Sequence, residues 1–147
     1  MLAQRCVVDS PVHLRWVWPA LVDVDNIATW SGFDRCLGDE QGMLHPASEL
    51  SCTLAIGDQT VGATLSVVES VEPTLLKLRT EAGIATVFET IGLEATGSGT
   101  RLSYELDVHS PLLRGALEPW IAEHVGIVHG GLQEFLSGTG ECWSGRV

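Results

Sequence analysis

Residues 117–136, LEPWIAEHVGIVHGGLQEFL, decide the fold. Apolar side chains recur there at Leu117, Trp120, Ile121, Val125, Val128, Leu132, Phe135 and Leu136. This i, i+3/i+4, i+7 stripe predicts an amphipathic helix, which has to lie against another apolar surface. Gly138 is its expected stop. Beyond it, the Gly- and Ser-rich stretch 137–147, SGTGECWSGRV, is expected to form a flexible tail in which Trp143 is an aromatic without an assigned role.

The surface that this helix needs is written upstream. Between Phe33 and about Ser110 apolar residues alternate with period two, at Cys52/Leu54/Ile56, Val61/Ala63/Leu65/Val67, Leu76/Leu78, Val87/Glu89/Ile91/Leu93 and Leu102/Tyr104/Leu106/Val108. Turn chemistry separates the runs: Gly57-Asp58-Gln59, Glu72-Pro73-Thr74, Glu81-Ala82-Gly83 and Gly97-Ser98-Gly99. Short connections make antiparallel hairpins, and a meander with one apolar face cannot bury that face against itself, so the terminal helix covers it. Further back, LAQRCVVD (2–9) suits a first strand. Ser10-Pro11 reads as a helix N-cap followed by the proline favoured at the first helical position. Val12, Trp16 and Ala20 then recur at helical spacing until Pro19 ends or bends the helix, and DVDNIATW (23–30) supplies a second short helix. The expected fold class is α+β: a curved antiparallel sheet of about six or seven strands wrapped around a long C-terminal helix, with two short helices after strand 1. Residues 1–136 form one domain and 137–147 the tail.

Composition narrows the partners. Eight Lys+Arg against 19 Asp+Glu give a formal charge of −11. One lysine, Lys77, and seven scattered arginines cannot cluster on phosphates, so nucleic acid is excluded as a partner. The same deficit argues against docking on an anionic leaflet, and no apolar run approaches the ~18–20 residues of a membrane span. Stable membrane insertion is not expected, and a soluble cytoplasmic protein is. Cys6, Cys36, Cys52 and Cys142 lie far apart without a C-x-x-C pair, a spacing that reads as reduced thiols filling core positions.

Three local signatures join this order of elements: Val8-Asp9-Ser10-Pro11 with Trp18 and Leu21-Val22-Asp23 ahead of Trp30; Val71-Glu72-Pro73; and Gly99-Thr100-Arg101-Leu102 opening the last strand. Together they resemble the START-like superfamily (SRPBCC, or helix-grip), which includes polyketide cyclase/dehydrase-like proteins and lipid-transfer domains. The likeness spans residues 2–136, and Pro19 within the first helix departs from it. It implies a helix-grip fold with a hydrophobic cavity between sheet and terminal helix. Its motifs contain no catalytic group, so they bear on fold rather than activity.

Candidate chemistry rests on three residues. His124 falls inside the apolar stripe, three residues after Ile121 and four before Val128, where an imidazole could bond a ligand carbonyl or move a proton, or be a core histidine satisfied by its neighbours. Glu89 stands among Val87, Ile91 and Leu93 on the inward face of a strand, where a carboxylate must be paired, protonated or wetted; a bulge in the strand would turn it outward. Tyr104, between Leu102 and Leu106, offers an inward hydroxyl, either to a ligand or to a backbone group. The expected ligand-contacting set is Trp18, Trp30, Leu65, Val87, Ile91, Leu106, Trp120, Ile121 and Val128, with Arg101 at the surface or rim. No metal site is expected: His124 and His129 are five apart, and His13, His45 and His109 lack partners at ligand spacing. No cofactor motif is present either.

Three functions follow as alternatives. The first is a carrier of one small, mostly hydrophobic molecule, such as a polyketide, lipid, quinone or aromatic metabolite, held between sheet and helix. The second is a cofactor-independent cyclase or dehydratase in which His124, Glu89 or Tyr104 moves protons. The third is an interaction module with a collapsed cavity and an acidic surface; association as a homodimer stays open.

Overall fold

The computed structural model describes residues 2–38, 42–56, 58–83, 85–110 and 114–137. Seven strands, β1 (Leu2–Ser10), β2 (Arg35–Gly38), β3 (Glu49–Ile56), β4 (Gln59–Val71), β5 (Leu75–Ala82), β6 (Ala85–Thr96) and β7 (Gly99–His109), form one antiparallel sheet in the order β1-β7-β6-β5-β4-β3-β2. Between β1 and β2 the chain crosses from one sheet edge to the other through α1 (Leu14–Leu21), a 3-10 turn (Val24–Asn26) and α2 (Ile27–Trp30). The long helix α3 (Arg114–Ser137) closes the fold.

One edge of the sheet, β1, lies along α3, and α2 rests on the helix from another side. On the β1 side Ser10 Oγ donates to the Leu136 carbonyl at 3.0 Å, and His129 Nε2 lies 3.3 Å from the Val7 carbonyl. On the far side α2 rests on α3 at Gly131, where an added Cβ would stand 3.1 Å from the Trp30 carbonyl oxygen. The helix is a poor one by propensity. It contains Pro119, Gly126, Gly130 and Gly131, and each interior glycine costs roughly 1 kcal/mol relative to alanine. Six apolar side chains buried from this helix, Ile121, Val125, Val128, Leu132, Phe135 and Leu136, outweigh that cost at about 1.5–3 kcal/mol each. Packing, not propensity, holds α3.

The inward face of the sheet follows the alternation: Leu65 and Val67 on β4, Leu76 and Leu78 on β5, Val87, Ile91 and Leu93 on β6, Leu102, Leu106 and Val108 on β7, all buried in one core with Trp18, Trp30 and the α3 stripe. The pairing register shifts between Val67 and Glu69, so the bulge sits in β4 and leaves β6 regular.

Three expectations are corrected. Ser10 does not cap α1: it ends β1, its hydroxyl is taken by Leu136 and by the Val12 amide, and His13 caps instead by accepting from the Arg15 amide. Pro19 lies inside α1, which continues to Leu21. The cysteines are not all thiols either. Cys36 and Cys52 lie opposite each other across β2 and β3 and are joined as a disulfide, a neighbourhood that sequence spacing cannot reveal. Cys6 is a half-buried thiol, while Cys142, Trp143 and the Gly138 stop lie outside the described residues. Among the described residues, no helix is long and apolar enough to cross a membrane.

Candidate functional site

Two groups of polar side chains stand inside this frame. The first belongs to the sheet. Register pairs Glu89 with Leu106 and Ile91 with Tyr104, so Glu89 and Tyr104 are diagonal neighbours on the concave face, 1% and 0% exposed. The Tyr104 hydroxyl donates to Glu89 Oε2. Burial pushes the Glu89 carboxyl up to about 7, and the bond from Tyr104 pulls it back part of the way. Tyr104 is held above its ordinary value by burial and by the neighbouring carboxylate. On β5, Thr80 continues the same diagonal, since it pairs with Val87, two residues from Glu89. Its Oγ1 is buried without a hydrogen-bond partner among the described residues. A buried hydroxyl left this way costs about 1–3 kcal/mol.

The second group is a cleft of about 290 Å³ between α3 and the β2–β3 side of the sheet, lined by Gly32, Asp34, Ala55, Trp120, Glu123, His124 and Ile127. Four of these stand at i, i+3, i+4 and i+7 on α3, so one helix face supplies a whole wall. The opposite wall comes from the turn after α2. Gly32 adopts a φ of +80°, a conformation that L side chains disfavour, and a Cβ there would approach His124 Cε1 to 2.9 Å. The Asp34 amide donates to the Thr53 carbonyl at 2.9 Å, which pins this turn to β3.

His124 forms the floor. It is 4% exposed, stacked on Trp120 with ring centroids 4.9 Å apart and planes 18° from parallel, and met edge-on by Phe33 at 6.4 Å. Burial lowers its pKa to about 4, so the ring is neutral at physiological pH. Among the described residues no hydrogen bond reaches it.

The three proposed chemical residues thus divide: Glu89 and Tyr104 meet each other, whereas His124 meets Trp120 and Phe33. Of the expected contact set, Trp120 lines the cleft; Trp18, Trp30, Leu65, Val87, Ile91, Leu106, Ile121 and Val128 are core. The Trp30 indole donates to the Leu21 carbonyl at 3.3 Å. Arg101 sits at the surface, 3.0 Å from Asp9. Sequence reasoning missed Gly32, Phe33, Asp34, Ala55, Glu123 and Ile127. Glu123 and Ile127 were within reach, because they share the helical face of Trp120 and His124.

No family model and no curated protein matches the sequence. Solved structures do match the fold. A START superfamily protein from Mycobacterium smegmatis superposes with a TM-score of 0.71 at 13% identity, covering 92% of this chain and 95% of that one. Ara h 8.0201 gives 0.65 at 16% identity, covering 92% and 97%. DynU16, a protein in the dynemicin biosynthetic locus, gives 0.65 at 23% identity over 94% of this chain and 48% of its own. The chain has the START-like, SRPBCC-type helix-grip fold.

Proposed function

We propose that this protein binds one small, mostly hydrophobic molecule between its terminal helix and the β2–β3 side of its sheet. The observation that carries this reading is the cleft itself: about 290 Å³ walled by the Trp120–His124 stack, with a neutral imidazole that has no hydrogen-bond partner among the described residues. An aromatic wall contributes flat apolar area, and one unpartnered ring nitrogen fixes orientation by a single hydrogen bond. The volume lies at the lower edge of the ~300–1,000 Å³ common for ligand pockets. Within the range of polyketides, lipids, quinones and aromatic metabolites, it favours a compact ring system over a long acyl chain. On this reading the protein is a carrier that needs no metal or cofactor.

A cyclase or dehydratase is the second reading, favoured by the buried Glu89–Tyr104 pair, a carboxyl near neutrality beside a hydroxyl donor. Its weakness is geometric. Proton transfer needs groups converging on one bound atom, and neither residue lines the cleft.

Isothermal titration calorimetry with 2-naphthol tests binding. Saturable one-site binding that Trp120→Ala weakens by about tenfold or more supports it, since removing a ring that carries the stack loses over 1 kcal/mol. Absence of saturable binding, or indifference to Trp120→Ala, refutes it.

A further inference from the structure

The side chains around the cleft are unequal in charge. Asp34 and Glu123 are both exposed carboxylates, while Gly32, Ala55, Trp120, Ile127 and the neutral His124 complete the lining. No cation stands among these seven residues. Acidic side chains alone would mean little on a chain of net charge −11. Here, however, they flank a second feature that points to a ligand, the 96%-buried imidazole that lines the same cleft without a hydrogen-bond partner among the described residues. We infer that the cleft selects small aromatic ligands bearing a positive charge, an ammonium or amidinium held by the Asp34 and Glu123 carboxylates while the ring lies against Trp120 and His124. This rests on the binding reading above and names the ligand class of that site.

The physical argument has three parts. Trp120 attracts a cation as well as an apolar ring, because the indole face carries the negative lobe of its quadrupole. Two carboxylates from separate elements, one on the turn before β2 and one on α3, add Coulomb attraction to any cation between them. The acidic surface as a whole raises the local concentration of cations and speeds their arrival. A neutral His124 imposes no opposing charge.

Calorimetric titration with three indole probes of one shape decides it: tryptamine (cation), tryptophol (neutral) and indole-3-propionate (anion). Tryptamine should bind about tenfold tighter than tryptophol, the scale that two solvent-exposed ion pairs supply, with indole-3-propionate weakest and the preference shrinking as salt rises. In Asp34→Asn/Glu123→Gln the ratio of tryptamine to tryptophol affinity should fall to within about twofold. Glu69→Gln/Glu94→Gln removes the same formal charge from acids outside the cleft and should keep the tenfold ratio. If tryptophol binds wild-type protein as tightly as tryptamine, or if Glu69→Gln/Glu94→Gln collapses the ratio as fully as the cleft variant does, charge selection by this site is wrong while binding stands. If none of the three probes binds, the binding reading falls with it.

Discussion

The concave sheet and the α3 cleft each bury one ionisable group, and they handle it in opposite ways. Glu89 is enclosed by strands, so burial holds its proton up to about 7 even though Tyr104 donates to the carboxylate and pulls the value part of the way back. His124 is enclosed by rings and given no hydrogen bond among the described residues, so its proton is lost down to about 4. Desolvation is the leading cause in both and always opposes the charged form, which raises an acid and lowers a base. At neutral pH the cleft therefore offers a neutral ring with spare hydrogen-bonding capacity, while the sheet holds a carboxyl poised between charge states. The first arrangement suits recognition. The second is a polar network engaged with itself.

The largest expected effect breaks the symmetry on the alkaline side. The unfolded chain releases the Glu89 proton near 4.5 and the folded chain near 7, so between these values the native state binds more protons and stability falls as pH rises. The penalty is absent below 4.5 and complete above 7, on the order of 3 kcal/mol for that separation. Urea denaturation of wild type and Glu89→Gln across pH 5–8 measures it: the two should diverge with rising pH, the variant becoming the more stable. Parallel curves would mean that the carboxyl is not buried as described.

On the acid side the sign reverses. Folded His124 loses its proton near 4 and the unfolded residue near 6.5, so through this window the unfolded state binds more protons and stability falls as pH drops. The penalty is complete below 4 and absent above 6.5. Its size should be below that of Glu89, about 1–3 kcal/mol, because the ring lines a cleft that admits water. Comparing wild type with His124→Phe at pH 4.5 and 7 reads it as a difference of differences, and equal gaps at both pH values would refute it.

The smallest effect sharpens the comparison from the cleft alone. Gly32→Ala puts a Cβ at φ +80° and 2.9 Å from His124, which should cost about 1 kcal/mol and displace the ring. In calorimetry it should weaken 2-naphthol binding, while the pH limb assigned to Glu89 keeps its midpoint. A shifted alkaline midpoint would show that the two regions are coupled.

Much of this was legible before any coordinates. Period-two runs around Val87–Leu93 and Leu102–Val108 identified β6 and β7 and turned Glu89 and Tyr104 inward, because a half-buried strand must alternate. The stripe Ile121–Leu136 identified α3 for the same kind of reason, with a period of 3.6. Less was legible where meaning depends on a neighbour distant in sequence. Cys36 and Cys52 are 16 residues apart and read as separate thiols until strand pairing sets them opposite. Ser10 looked like a cap because its local pattern is that of one, yet its hydroxyl is taken by Leu136, 126 residues on.

The sequence by itself determined the elements, their order and which residues face inward, since hydrophobic periodicity is a local property of the chain. Only the tertiary structure decided that Gly32, Asp34 and Ala55 face Trp120, Glu123, His124 and Ile127 across a cleft, that the Tyr104 hydroxyl donates to Glu89, and that His124 stands apart from both. Sites are made by contacts between distant segments. Those contacts depend on how far the sheet curls around the helix, and curvature is set by the packing of the whole core.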